Sequence, residues 1–128
     1  MDGCMFCDYK NNEKGTIIFQ NEHCVCIELN DDVLIGSCIV IPKRHVAAMF
    51  DLDPEEWAAT KLLADQTKAY LDERYRPDGY NVGWNIGRVA GQEVFHAHMH
   101  IIPRYADEPL AGNGIRHWIK QKSNKRTR

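Results

Sequence analysis

The sequence predicts an α+β domain with a largely antiparallel sheet and one long helix. Three observations lead there: three short apolar runs bounded by turn residues, a central segment of about 20 residues with helical start and stop signals, and two further strand-like runs after it.

Taken in order, "GTIIFQN" (15–21) lies between Gly15 and Asn21 and reads as a strand. "CVCIEL" (24–29) is a second strand, followed by the turn-rich "NDD". "SCIVIP" (37–42) is almost wholly apolar, as expected of a strand covered on both faces, and it closes at Pro42. The closeness of the three runs predicts an antiparallel meander. The period then changes in "DLDPEEWAATKLLADQTKAYLDERY" (51–75). Asp53 stands where an N-cap belongs, Pro54 takes the first helical position, and Glu55 and Glu56 complement the helix dipole. Trp57, Leu62, Ala64, Ala69 and Leu71 form the expected apolar face, and the helix ends before Pro77. "GYNVGWNIG" (79–87) reads as a strand with Asn85 at its end. "RVAGQE" (88–93) is a glycine-bearing loop, and "VFHAHMHIIPR" (94–104) is the last long strand, expected to form a hairpin with its predecessor.

The 128 residues fit one domain spanning 1–128, and 44% hydrophobic with 27% charged residues is the balance of a globular protein. A net charge of -2 gives no reason to expect a nucleic-acid polymer as partner. The basic tail from about residue 119 to 128, ending "KQKSNKRTR", reads as a solvated, frayed terminus. No apolar run approaches the ~20 residues needed to cross a bilayer, so a membrane is not an expected partner. "MDGCMFCDYK" lacks the apolar stretch of a signal peptide, which makes a cytoplasmic location the expectation. Five cysteines in a reducing compartment do not suggest a disulfide framework. Cys24, Cys26 and Cys38 lie in apolar runs and read as small core residues. Cys4 and Cys7, flanking Phe6, have metal-ligand or redox spacing instead.

The chemistry concentrates in "HAHMH". On a strand, His96, His98 and His100 would share one face, with neighbouring Cα atoms roughly 6–7 Å apart and the outer two about 13 Å. One ion held by all three would demand a severely bent strand, so the spacing suggests three neighbours with separate tasks. Gly87 and Gly91 allow the preceding loop to bring backbone N–H groups towards an anion, and Asn85 and Gln92 add neutral donors. Neutral imidazole is a competent nucleophile at phosphorus. His23 and His117 stand alone and read as ordinary surface or structural residues.

These blocks resemble the histidine-triad (HIT) superfamily of nucleotidyl hydrolases and transferases, and in particular its zinc-containing bacterial branch related to diadenosine polyphosphate hydrolases. "HAHMHII" is similar to the family's His-x-His-x-His-x-x signature, "GSCIVIPKRHV" to its G-H-x-L-V-I-P-K-x-H segment, and "CMFC" to a C-x-F-C opening. The likeness runs from residue 4 to about residue 104, in family order. It implies a five-stranded antiparallel sheet with one long helix and shorter terminal helices, assembled as a homodimer. It implies cleavage at the α-phosphate of a dinucleoside polyphosphate, nucleoside phosphoramidate or related conjugate, with His98 as nucleophile forming a nucleotidyl-histidine and His100 donating to a phosphate oxygen. Asn85 and the Gly91–Gln92 backbone would help cradle the phosphate. His96 would join Cys4, Cys7 and His45 around a structural zinc.

Two positions depart from the pattern. Glu93 stands where many members carry Ser or Thr near the scissile phosphate, so it must point away, be protonated or contact a different substrate group. Where members carry an acidic or amide residue for the ribose, the alignment places Leu29, flanked by Glu28 and Asn30, so the nucleoside contacts are expected from Ile27 to Asn30. Trp84 and Trp118 read as core or interface residues. Two other functions stay open: a zinc-dependent hydrolase with His96 and His98 as metal ligands, and a nucleotide-binding protein with little turnover.

Overall fold

The computed structural model describes residues 3–11 and 13–127. Its framework is β1 (Gly15–Gln20), β2 (Cys24–Leu29), β3 (Cys38–Pro42), helix α1 (Pro54–Tyr75), β4 (Gly79–Trp84) and β5 (Met99–Arg104). The sheet order is β1-β2-β3-β5-β4, with every neighbouring pair antiparallel. The expected meander is β1–β3 and the expected hairpin pairing is β4–β5. Helix α1 carries the chain to the outer edge, and β5 returns to fill the place beside β3. Near the chain ends, Tyr9–Asn11 and Lys122–Asn124 each form a single 3-10 turn.

Strand alternation divides the core into two layers. Cys24, Cys26, Cys38, Val40, Met99 and Ile101 face α1, packing against Ala59, Leu63 and Leu71. Val25, Ile27, Ile39 and Ile41 face the other way and are covered by Phe6 of the N-terminal segment. The site lies on this second face.

The buried stripe of α1 is Glu56, Ala59, Thr60, Leu63, Thr67 and Leu71, so the predicted face is corrected: Trp57 is 49% and Leu62 61% exposed. Small and polar side chains take the inner positions because their hydroxyls are satisfied there. Thr60 Oγ1 donates to the Glu56 carbonyl at 2.8 Å, and Thr67 Oγ1 lies 3.1 Å from Cys26 Sγ. Glu28 is engaged on this face as well, accepting from the Tyr70 and Tyr75 hydroxyls.

The helix start is built as the sequence suggests. Asp53 caps by accepting from the Glu56 N–H at 2.8 Å, and the Glu56 carboxylate accepts from the Asp53 N–H at 2.9 Å. Glu56, itself buried, also takes a two-pronged bond from Arg44 at 2.7 and 3.0 Å, which ties the loop after β3 to the helix. The Arg44 bond, reinforced by the Asp53 N–H, holds the Glu56 carboxyl below the usual carboxylate range. A lowered value means the stabilisation is complete above the unfolded value of about 4.3 and is lost as pH falls through the folded one. Glu56→Gln is expected to cost about 2 kcal/mol at neutral pH, allowing for the half-exposed Arg44, and less in acid. Urea unfolding at both pH values checks this; an equal loss at the two would refute the charge argument.

The last strand is shorter than predicted. Residues 94–98 lie outside the ladder and β5 begins at Met99. Other partners claim this stretch: the Ala97 N–H bonds to the Val46 carbonyl at 2.7 Å, and the His96 ring to the Pro42 carbonyl at 2.7 Å.

Candidate active site

The three histidines occupy distinct environments. His96 is fully buried, His98 is buried at 9% exposure, and His100 is half-buried on β5 opposite Ile39 of β3. A carbonyl oxygen only accepts, so the contact with Pro42 places the His96 proton on Nε2 and leaves a lone pair on Nδ1. Burial pushes His96 down, which favours this neutral ring. By the same reasoning His98 Nδ1 donates to the His96 carbonyl at 2.9 Å, leaving its lone pair on Nε2. The His98 and His100 rings meet edge-on with centroids 4.9 Å apart, and Phe6 braces His98 from its other side, also at 4.9 Å. Burial, then His98, push His100 down, so it too is a neutral ring able to donate.

His96 Nδ1 points away from this group, at 3.5 Å from both Cys4 Sγ and Cys7 Sγ, and Cys7 Sγ lies 3.2 Å from His45 Nδ1. The four ligand atoms lie within 4.8 Å of one another. A tetrahedral ion with bonds near 2.0–2.3 Å separates its ligands by about 3.3–3.8 Å, so the donor set has the spacing of a closed metal centre. The Cys7 N–H also bonds to Cys4 Sγ at 3.4 Å, as a tight turn around an ion requires. Burial, with Cys4 next, pushes the Cys7 thiol up, so a pair of thiolates here calls for a cation between them. The residues predicted as metal ligands are brought together.

A cavity of about 320 Å3 opens over His98 and His100, walled by Asn85, Gly91, Glu93, Leu29, Ile39, Phe6 and Lys14. A second, of about 220 Å3, continues from Asn85 and His100 along Asn81, Gly83 and Ile102 to Ile115. Among the described residues, the Asn85 side chain makes no hydrogen bond, so its amide is available to a ligand. The glycine-bearing loop is a 3-10 turn, Arg88–Ala90, between Gly87 (φ 88) and Gly91 (φ 95), both in the left-handed region that favours glycine. The N–H groups of Gly91 and Gln92 are used within this turn, bonding to the Arg88 and Gly87 carbonyls. Gln92 itself is buried: its amide accepts from the Gly87 N–H and donates to the Ala47 and Val94 carbonyls, bracing the loop.

Of the expected nucleoside contacts, Ile27 is sealed in the core beneath the cavity and Asn30 is exposed outside its lining, while Leu29 forms the wall. The sequence reading missed Phe6 and Lys14 as wall residues. The "CMFC" spacing contained the signal for Phe6, since closing a turn on two cysteines fixes what lies between them. Trp84 is partly buried and stacks on Trp57 with centroids 6.4 Å apart, whereas Trp118 is 63% exposed.

The sequence pattern of the HIT domain matches residues 10–107. The chain belongs to the HIT family. An uncharacterized 16.1 kDa HIT-like protein of Mycoplasma pneumoniae is 38% identical over 105 residues, which are 81% of this chain and 73% of that protein. A bis(5'-adenosyl)-triphosphatase of Dictyostelium discoideum is 36% identical over 91 residues, 71% of this chain and 61% of that one. The crystal structure of a zinc-bound histidine triad family protein from Mycobacterium smegmatis superposes with a TM-score of 0.73 at 28% identity, covering 86% of this chain and 81% of that one. The HIT family gathers nucleotide-binding proteins and hydrolases, and this chain has its five-stranded antiparallel sheet with one long helix. No helix among the described residues is long and apolar enough to cross a membrane.

Proposed function

We propose that this HIT protein is a nucleotidyl hydrolase that attacks the α-phosphorus of a nucleotide conjugate through His98. The observation that carries the reading is the tautomer of His98: the Nδ1–H bond to the His96 carbonyl leaves the Nε2 lone pair on a ring that lines the cavity. The nucleoside would lie over Leu29, Ile39 and Phe6, with the phosphate between Asn85 and His100. Nε2 would bond to phosphorus as the leaving group departs, while His100 and the Asn85 amide donate to the non-bridging oxygens. Water would then release the nucleoside monophosphate. A labelled conjugate, quenched in alkali, is expected to leave its nucleotide on His98. Turnover without that adduct would overturn the mechanism, and binding without turnover would favour a nucleotide-binding role.

The donor set also fits a structural zinc held by Cys4, Cys7, His45 and His96. Bound there, the ion would neutralise both thiolates and tie the N-terminal turn to the segment bearing His98. The alternative of one catalytic ion shared by His96 and His98 is disfavoured, because His96 Nδ1 faces the cysteines while His98 Nδ1 is held by a carbonyl.

We infer as well that the chain forms a homodimer through β4 and α1. Strand β4 is a sheet edge whose Val82 is 48% exposed, and Trp57 of α1, 49% exposed, stacks on its Trp84. Sedimentation is expected to give a dimer that Val82→Lys dissociates; a monomeric parent protein would end this assignment.

A further inference from the structure

The reaction chamber carries an acidic side chain beside its phosphate loop, and the mechanism above does not use it. Glu93 lines the main cavity with His98, His100, Asn85 and Gly91. It also lines an adjoining cavity of about 440 Å3, with Cys4, His45, Val94 and Phe95. No hydrogen bond or ion pair among the described residues engages its carboxylate. Glu93 follows Gly91 by two residues, at most about 7 Å of chain, and shares the cavity wall with Asn85 and His100, between which the phosphate would lie. Lys14, which immediately precedes β1, is the other charged residue lining the main cavity. Arg88 lies over the Phe95 ring at 5.1 Å and lines neither cavity.

A carboxylate in that position repels an anionic chain attached to phosphorus and attracts a group that brings positive charge or N–H donors. Among the described residues, no lysine or arginine stands in the wall of the adjoining cavity to receive a polyphosphate. We propose that Glu93 selects the leaving group, favouring nucleotide conjugates whose departing half bears an amine over those whose departing half is a polyphosphate. This rests on the nucleotidyl-transfer reading above and adds to it the charge of the departing half. In the step concerned, the His98 Nε2–P bond forms as the P–N bond breaks. The departing nitrogen keeps the bonding pair, takes a proton from solvent and leaves as an amine. Water then cleaves the Nε2–P bond and regenerates His98, so one water is consumed for each amine and nucleoside monophosphate released.

The test compares three adenosine 5'-monophosphate conjugates on the full chain: a phosphoramidate with an aminoalkyl tail, one with an uncharged alkyl tail of equal length, and diadenosine triphosphate. The aminoalkyl conjugate is expected to exceed the uncharged one in kcat/KM by about tenfold, as one partly solvated charge contact supports, and the ratio should shrink with added salt. Glu93→Gln keeps the shape and removes the charge. It is expected to bring that ratio to near one and to raise the relative rate on diadenosine triphosphate. Turnover with a ratio unmoved by Glu93→Gln overturns the role of Glu93 and leaves the nucleotidyl-transfer reading standing. No turnover of any conjugate by the parent protein overturns both.

Discussion

Replacing His98 by alanine is expected to lower kcat/KM by about 10^4-fold or more, the loss seen when a covalent nucleophile is removed. The lone pair on Nε2 exists because the carbonyl of His96 fixes the proton on Nδ1. No other ring takes that place: His96 is turned to the cysteines and His100 sits one strand residue pair further on. Alanine also leaves a gap beside Phe6, so folding has to be measured alongside activity. His98→Asn keeps a polar group on that site and serves as the second variant. Both are expected to unfold within a few degrees of the parent protein while losing the adduct. A variant retaining a tenth of the parent activity would remove His98 from the chemistry.

Removing the metal-ligand set is the second large effect. Cys7→Ser is expected to cost about 3 kcal/mol or more and to lower Tm by roughly 10 °C, because a structural zinc contributes folding energy directly. The parent protein should carry one zinc per chain by atomic absorption, and the variant should carry none. Activity should fall as well, by a physical route. Phe6 lies within the Cys4–Cys7 turn and packs on the His98 ring, so loosening the turn loosens the brace on the nucleophile. A Cys7→Ser protein with unchanged Tm would exclude a structural ion.

Much of the framework was legible. The runs at β1, β2 and β3 match the strands to within a residue, and Asp53, Pro54 and Glu56 announced the helix start. These signals are local, so nearby residues suffice to decide them. The inner face of α1 was not legible, because Thr60 and Thr67 are buried through hydroxyl partners that only the fold supplies. The onset of β5 was missed for a related reason: the Val46 carbonyl takes the Ala97 N–H that a neighbouring strand would otherwise pair, and the Pro42 carbonyl holds the His96 ring. At the site, the metal-ligand set was reached through the family resemblance, and the geometry groups the same four side chains. The Gln92 backbone was expected at the phosphate; here its N–H bonds to the Gly87 carbonyl and its side chain braces the loop, a use that depends on which carbonyls lie nearby.

The separation of the two core layers has a practical consequence. Among the described residues, no side chain of the layer packed on α1 lines the cavity over His98 and His100, although the two layers alternate along the same strands. A mutational library confined to Leu29, Ile39 and Glu93 should therefore reshape substrate preference while leaving the helical layer intact, and stabilising changes made under α1 should transfer between such variants additively. The sheet acts as a partition that lets the two properties be tuned apart.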